Sequence, residues 1–527
     1  PSSLAFTAVL TALVLWVARR LARPAAVPLR DDEGSRVERG VRLMATGALG
    51  IAALALALPP LWTWPARLGA VERSPANAGR PNVLVLVLDT VRADHVSSYG
   101  YPRSTTPNLD RVAREGALFE QASSPMPWAP AHVSLLTGLY MSQHGTNAVR
   151  REMDDRVTTL GERLRAGGYQ TLAVSNNGWF GRWARVDRGF DEFVEIWMGD
   201  RLLSKLTLGQ IAHAVAGPVL TDENEANAEL TNRLIRRWLD HDRDQRKPFF
   251  IFINYFEPQF FYEPPEPYRS RFLDPAHRGL VQWRALRGLN RTPPPVRLDA
   301  TTRAILADLY DGEIACLDAQ VGELLDDLRH RGLLDETVVV ITSDHGENLG
   351  DHELIEHRTN LYETVLHVPL LVRFPAVFAP GTRVSEPVST VDIVPTVLSL
   401  TLGTTPAELA AMLPGRSLAG REIAAAADRP ILAEDSTSTE LMRRFTPPFE
   451  QRYFTRSLKS LRQGRWKFIW ASDGGHELYD LSRDAGETTN LASRDPERAR
   501  EMAARLEAFV GGLQPVAARE PMTGGRS

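Results

Sequence analysis

The sequence predicts an α/β protein: a mostly parallel sheet with helices on both faces, a small C-terminal α+β subdomain, and transmembrane helices at the N-terminus. Three observations carry this. NVLVLVL (82–88) and TVVVITS (337–343) are continuous apolar runs rich in β-branched residues, as strands buried on both faces require. Each run ends in acid, Asp89 after the first and Ser-Asp-His-Gly after the second. Between them, helical periodicities alternate with further short apolar runs, the pattern of βαβ units.

Taken in order, the chain opens at Pro1, which is no initiator, so further residues are expected before it. Residues 1–18 and 43–66 carry no charge, and the second run is long enough to span a bilayer of ~30 Å. Trp62 and Trp64 stand where an interfacial aromatic belt belongs. Seven arginines separate the two runs: Arg19, Arg20, Arg23, Arg30, Arg36, Arg39 and Arg42. Positive charge marks the cytoplasmic side. Residues 1–64 are therefore expected to be a membrane region with helices at about 1–18 and 43–64. Everything after Trp64 then lies outside the cytoplasm, periplasmic or extracellular.

Residues 65–80 (PARLGAVERSPANAGR) read as a linker by composition. The main domain follows at 81–425, with strands expected at 82–88, 169–175, 248–256, 337–343 and 368–374. Helices are expected at 107–115, 132–139, 158–166, 226–239, 301–330 and 391–401. In the long helix, Leu306, Leu309, Ile314, Leu317, Val321, Leu324, Leu325 and Leu328 recur near helical spacing and should pack on the sheet. Residues 196–225 and 257–300, rich in Pro, aromatic and Arg residues, read as loops or a lid beside the site. The subdomain at 426–511 combines antiparallel strands with a helix at 495–511, and 512–527 reads as a disordered tail.

A composition of 43% hydrophobic and 24% charged residues is that of a globular protein with ample core. The net charge of −4, without a basic run in the soluble part, argues against a nucleic-acid partner. The single cysteine, Cys316, excludes an intramolecular disulfide and a cysteine zinc cluster. Its apolar helical neighbourhood makes it a core residue.

Ligands of open α/β sheets collect where strands end. If the two acid-terminated strands are neighbours, Asp89, Asp344 and His345 converge, and two carboxylates with an imidazole suit one divalent cation. Oxygen-rich ligation suits Ca²⁺, whereas the histidine leaves Mn²⁺ or Mg²⁺ open.

These strands belong to a longer series. VLDTVRADHVSSYGY, SLLTGLYMSQHG, TSDHGENLGDHE, LYETVLHVPLLVRFP and ELYDLSRDAGETTNL together resemble a sulfatase-type member of the alkaline phosphatase superfamily, in order from about Pro81 to Leu491. The resemblance implies a metal-dependent hydrolase or transferase of sulfate or phosphate esters. Its substrate would be an anionic glycan, lipid or small molecule. A covalent intermediate forms on a side chain that opens a helix, where free N–H groups face the anion. Sulfatases use a formylglycine there, within Cys/Ser-x-Pro-x-Arg, and phosphotransferase relatives use Thr.

In the matching segment SSPMPWAPAHVSLLTG, Pro130 takes the motif proline and His132 the arginine, and the attacking position falls on Trp128. Against relatives reading Trp-Thr-x-Pro-Ser-His, the chain is one residue short, with Ala129 or a gap in place of Thr. Formylglycine is therefore impossible at the expected position. Ser124, Ser134 and Thr137 are the nearby hydroxyls. Gln259 replaces the histidine of a Pro-His-x-Pro-Tyr segment, and Asn176 replaces a lysine. His357 stands where relatives carry an anion-holding lysine, and His144 matches a position near the site. Asn147 is a further candidate for hydrogen-bonding the substrate. Glu347 is expected to support His345 and Arg92 to pair with Asp94. A catalytically degenerate relative that binds an anion without turnover, and a transferase of phospho-groups to lipid or surface polymer, remain alternatives.

Overall fold

The computed structural model describes residues 79–147, 149–196, 227–289, 292–357, 360–420, 428–436 and 455–516. The two expected membrane spans, most of the 196–225 segment and the end of the tail lie outside these residues. Among the described residues, no helix is long and apolar enough to cross a membrane.

Among the described residues, sixteen strands occur in chain order. They are β1 (Asn82–Leu88), β2 (Ala117–Phe119), β3 (Ala122–Ser123), β4 (Gln170–Ser175), β5 (Glu192–Glu195), β6 (Phe249–Tyr255), β7 (Thr337–Thr342) and β8 (Asn348–Leu349). After them come β9 (Ile355–Glu356), β10 (Leu370–Arg373), β11 (Thr382–Val384), β12 (Val388–Ser389), β13 (Ile431–Asp435), β14 (Leu458–Gln463), β15 (Trp466–Ala471) and β16 (Glu477–Asp480). Eight form the main sheet in the order β11-β2-β10-β7-β1-β6-β4-β5. The two acid-terminated strands are neighbours: β1 runs parallel to β7, with Val87 opposite Thr342, and parallel to β6 on its other side. This register brings Asp89 and Asp344 to the same sheet edge.

The α/β class holds, but the sheet is mixed. β10 runs antiparallel to both β7 and β2. Between β7 and β10 lie only a hairpin and short helical turns, too little for the crossover a parallel return demands.

Alternation along the central strands splits the core in two. Val83, Val85 and Val87 of β1 join Phe250, Phe252, Val338 and Val340 on one face, under helices Ala131–Thr137, Leu160–Ala166 and Ile393–Leu402. Leu84, Leu86 and Leu88 join Ile251, Ile253, Val339 and Ile341 on the other, under helices Pro107–Glu115, Asn227–Arg237 and Ala300–His330. Each such side chain contributes ~1.5–3 kcal/mol by leaving water. The long helix is N-capped by Asp299, which accepts from Thr302 N at 2.7 Å. It in turn caps its neighbour: the Asp318 carboxylate accepts from the backbone N–H groups of Asn108 at 3.0 Å and Leu109 at 2.9 Å. Cys316, on the same helix, is half-buried, and burial pushes its thiol up to about 12, so it stays protonated.

The antiparallel sheet β13-β14-β15-β16 is covered by helix Pro496–Gly512 through Met502 and Leu506. Tyr140 and Val391 from the larger part of the chain enter the same apolar cluster. A buried ion triad adds a second junction. Lys467 of β15, 1% exposed, lies 2.7 Å from Glu363 and 2.8 Å from Glu487.

Candidate active site

Asp89 leaves β1 fully buried. Its Oδ2 accepts from Asn177 at 2.7 Å, just past β4, and from Asn254 of β6 at 3.3 Å, while Oδ1 has no partner. Thr90 follows with φ +61°, a left-handed conformation that costs a β-branched residue ~1–3 kcal/mol. Three contacts hold it there. Its N–H donates to Asp344 Oδ1 at 3.3 Å, its hydroxyl to Pro258 O at 3.1 Å, and its carbonyl accepts from Tyr310 at 2.6 Å. The strained turn thus aims one backbone donor at the second carboxylate.

Asp344, past the end of β7, is equally buried, and its Oδ2 lacks a hydrogen-bond donor. His345 Nε2 lies 3.2 Å from that oxygen. The His345 Nδ1 faces Gly346 O at 2.9 Å, and a carbonyl only accepts, so Nδ1 carries the proton and Nε2 a lone pair. Burial drives the His345 pKa down to about 4, which keeps the ring neutral near pH 7.

The third element comes from the short helix Ala131–Thr137. His132, also buried, donates from Nδ1 to Ala129 O at 3.0 Å, leaving Nε2 without a partner. Its Nδ1 is 3.5 Å from Asp344 Oδ2, and its ring packs on Phe180 with centroids 4.8 Å apart. Ligand atoms of Asp89, His132 and Asp344 all lie within 4.8 Å of one another. His132, expected at the motif arginine, therefore joins the expected carboxylates, and His345 adjoins them through Asp344.

The electrostatics follow from this crowding. Burial, then the Asp344 charge, pushes the Asp89 carboxyl up to about 7. Burial likewise raises Asp344. Two carboxylates share this buried site with the rings of His132 and His345. Asp89 Oδ1 and Asp344 Oδ2 are buried without partners, and with a His132 ring nitrogen inside the same 4.8 Å cluster they make a donor set that a divalent cation takes, so the residues fit the metal that the sequence implied.

The other expected residues divide. His357 reaches the site: its ring centroid is 4.3 Å from that of His345, and its Nδ1 lies 3.4 Å from Glu347 Oε1. Glu347 thus faces His357 and not the bonded side of His345, whose Nδ1 is committed to Gly346. Burial lifts the Glu347 carboxyl to about 8. Asn176 Oδ1 accepts from Thr231 at 3.1 Å, while its Nδ2 and Gln259 Oε1 are buried without partners. His144 is turned inward. Its Nδ1 accepts from Thr146 N at 3.0 Å, so Nε2 donates to Ser134 at 3.1 Å, and burial lowers its pKa to about 3. Asn147 closes its own loop, Oδ1 accepting from Val149 N and Arg150 N at 2.9 Å each. Arg92 binds Asp94 as expected, at 2.7 Å, and also Asp351 at 2.8 Å.

The three hydroxyls that the sequence offered in place of the missing nucleophile are all engaged in the fold. Ser124 Oγ sits between the carbonyls of Met126 and Asp344, Ser134 is held by His144, and Thr137 donates to Val133 O at 2.6 Å. At the attacking position itself, the Trp128 indole donates to Asp435 at 3.0 Å. Asn177 and Asn254 were not anticipated. Asn254 lies one residue before the end of β6, beside β1, and Asn177 lies two residues past β4, the next strand out.

The family model described as Sulfatase matches residues 81–404, and one described as N-sulphoglucosamine sulphohydrolase, C-terminal, matches residues 350–512. The chain is 24% identical over 451 residues to choline-sulfatase of Rhizobium meliloti (strain 1021), covering 79% of this chain and 83% of that one. A solved phosphonate monoester hydrolase of Agrobacterium radiobacter superposes with a TM-score of 0.63 at 22% identity, covering 85% of this chain and 99% of its own. Another structure, solved with its substrate D-glucosamine-2-N,6-O-disulfate, gives a TM-score of 0.60 at 18% identity, covering 84% of this chain and 100% of its own. With a site of two carboxylates and a histidine at the carboxyl ends of its central strands, this chain belongs to the sulfatase family.

Proposed function

We propose that the protein is a membrane-anchored, metal-dependent hydrolase of sulfate esters, with phosphate esters as the alternative substrate class, and that its site faces away from the cytoplasm. The observation that carries the metal-dependent part is the pair of partnerless buried oxygens on Asp89 and Asp344, with His132 in the same 4.8 Å cluster. The anchor and its orientation rest on the uncharged runs at 1–18 and 43–66 and the arginines between them.

Asp89, His132 and Asp344, with His345 alongside, would hold the cation. Ca²⁺ suits the carboxylates, and Mn²⁺ or Mg²⁺ the histidines. When bound, such an ion neutralises charge on the ester's non-bridging oxygens and acidifies water. The chain's own groups do the rest. Asn176 Nδ2 is a buried donor able to meet a non-bridging oxygen. Glu347, protonated near pH 7, and His357 form a pair that can pass a proton toward a departing alcohol oxygen.

One observation favours a second reading, anion binding without turnover: Trp128 and Ala129 offer no attacking atom, and the hydroxyls of Ser124, Ser134 and Thr137 are tied into the fold. One experiment separates the two. The chain is assayed with Ca²⁺ or Mn²⁺ on aryl sulfate and aryl phosphate esters, before and after a Thr or Cys is inserted between Trp128 and Ala129. Activity in the unaltered chain supports hydrolysis as it stands. Activity only after insertion supports a binding protein on a hydrolase scaffold. None in either form, with metal shown bound, refutes the hydrolase reading.

A further inference from the structure

At the end of the main sheet opposite the carboxylate cluster, the chain forms a groove of about 720 Å³. Asn82, Pro248 and Glu336 stand on its wall, which places it at the amino ends of β1, β6 and β7. Asp89 and Asp344 follow the carboxyl ends of β1 and β7, so the length of a central strand, ~20 Å, separates groove and site. No step of the ester chemistry uses this groove.

Its lining is amphipathic. Among the described residues, five cations reach it, Arg80, Arg243, Arg246, Lys247 and Arg331, against two acids, Asp335 and Glu336. The fold holds the guanidinium groups in place. Arg80 donates to Gly167 O at 2.7 Å, Arg243 lies over the Phe249 ring at 5.0 Å, and Arg246 pairs with Asp244 at 2.9 Å. Arg331 uses two of its five N–H donors on Asp240 and Asp327. Asp335 is answered by Arg373 at 2.5 Å. With these partners included the balance stays positive, six cations to five acids, in a chain whose net charge is −4. Groups fixed in this way meet an anion at little further cost in side-chain entropy. Between them Leu239, Phe374 and Ala376 supply apolar wall, and the next residue, Val377, is 45% exposed.

The course of the chain says which anion comes here. Gly79 and Arg80 line the groove, and residues 65–78 separate them from the uncharged run that ends near Trp64. Those fourteen residues reach at most ~50 Å. The groove is therefore confined to the neighbourhood of the bilayer that this run would enter, where the fixed anion is lipid phosphate.

We propose that this groove binds the phosphate of an anionic phospholipid and seats the domain on the bilayer, with its metal-ligating end turned to the aqueous phase. The guanidinium and ammonium groups take the phosphate, and the apolar wall takes the first carbons of the glycerol and acyl chains. The inference rests on the membrane-anchored reading and says which face of the domain meets the lipid. A soluble phosphate ester offers the cations the same partner but leaves Leu239, Phe374 and Ala376 wet.

Native mass spectrometry of the full chain in neutral detergent tests this, by titration with phosphatidylglycerol, phosphatidylcholine, glycerol 3-phosphate and inorganic phosphate. Phosphatidylglycerol should bind about tenfold tighter than each of the other three. Arg243→Gln and Lys247→Gln should each weaken it about fivefold, and the pair more than about tenfold. Lys247 is exposed, so its variant keeps the fold and guards against misfolding as the cause. Equal retention of the two lipids, or indifference to both variants, overturns the proposal. So does inorganic phosphate that binds as tightly as the lipid, which marks an adventitious ion only. Fluorophores on Val377→Cys, next to the groove wall, and on Val149→Cys, 79% exposed near the site end, report orientation. Brominated lipid in vesicles should quench the first about threefold more than the second, and the reverse order overturns the proposal. Alkaline extraction from vesicles separates the groove from the anchor. A chain that is stripped by alkali, yet sediments at neutral pH with phosphatidylglycerol vesicles unless both cations are replaced, keeps the groove and loses the anchor. A chain that resists alkali but shows no lipid selectivity keeps the anchor and loses the groove.

Discussion

Asp344→Asn should stabilise the metal-free protein and abolish its response to metal. The carboxylates of Asp89 and Asp344 offer ligand atoms within 4.8 Å of each other, and two unit charges at that distance repel by about 3.5 kcal/mol at an effective dielectric of ~20. Part of this is already relieved by the proton that Asp89, with its carboxyl near 7, retains. The removable part at pH 8 is therefore about 1–3 kcal/mol. The amide is also a good local fit. Its oxygen can keep the bond from Thr90 N, and its NH₂ meets the His345 Nε2 lone pair that now faces a carboxylate oxygen at 3.2 Å. For a unit of this size, such a gain raises Tm by about 1–3 °C. The assay is calorimetric melting at pH 8 with chelator, then with Ca²⁺ or Mn²⁺. Wild type at a hundredfold excess over Kd should gain about 2.7 kcal/mol from the metal, or about 3 °C. The variant should gain nothing. A variant that melts lower than wild type in chelator, yet shifts with metal as wild type does, would refute the shared-cation geometry.

Two further predictions concern groups away from the ion. His144 is held neutral, its pKa lowered to about 3 from 6.5 by burial, so the unfolded chain takes up a proton well before the folded one does. Its share of stability is thus intact above pH 6.5 and erodes as pH falls toward 3. His144→Asn should cost about 1–3 kcal/mol at pH 7.5, through the lost bonds to Ser134 and Thr146, and that deficit should shrink at pH 5. Urea midpoints at the two pH values measure it, and a deficit that widens on acidification would show the ring to be charged when folded. Lys467→Met should cost about 3–5 kcal/mol because Glu487 remains buried without its counter-ion, whereas Glu363 keeps Arg462 at 3.2 Å. Restoring most of that loss with Glu487→Gln in the same chain is the expected check, and additive losses would contradict the pairing.

Much of this was legible because strand ends announce themselves. The runs before Asp89 and Asp344 are apolar without interruption, and only a central strand buried on both faces tolerates that. Their adjacency was a condition that the sheet class allows without requiring, and the structure meets it, so the two acids converge. The antiparallel course of β10 was not legible, since VPLLVRF reads the same in either direction. His132 was located by counting along a motif, but its proximity to Asp344 depends on how a seven-residue helix is tilted, which no periodicity records. Asn177 and Asn254 went unnoticed because asparagine after a strand ordinarily signals a turn. The local bonds of His144 and Asn147 were equally invisible, since a polar residue near a site reads the same whether its partners are local or a ligand. GWFGRW scans as an aromatic loop, and only the folded chain shows the tryptophans standing open beside His132.

The Lys467 triad bears on how such proteins can be recombined. Glu363 begins the turn Glu363–Leu366, whose next residues, Thr364 and Val365, accept from the backbone N–H groups of Glu347 and Gly346 at 3.0 and 2.9 Å. A charge carried by the last sheet is therefore wired, through one turn, to the loop that bears Asp344 and His345. Chimeras that graft the C-terminal piece of one homologue onto the body of another should retain their chemistry only when lysine and both glutamates travel as a set. That makes the trio a unit of inheritance spanning a boundary at which shuffling would otherwise be simplest.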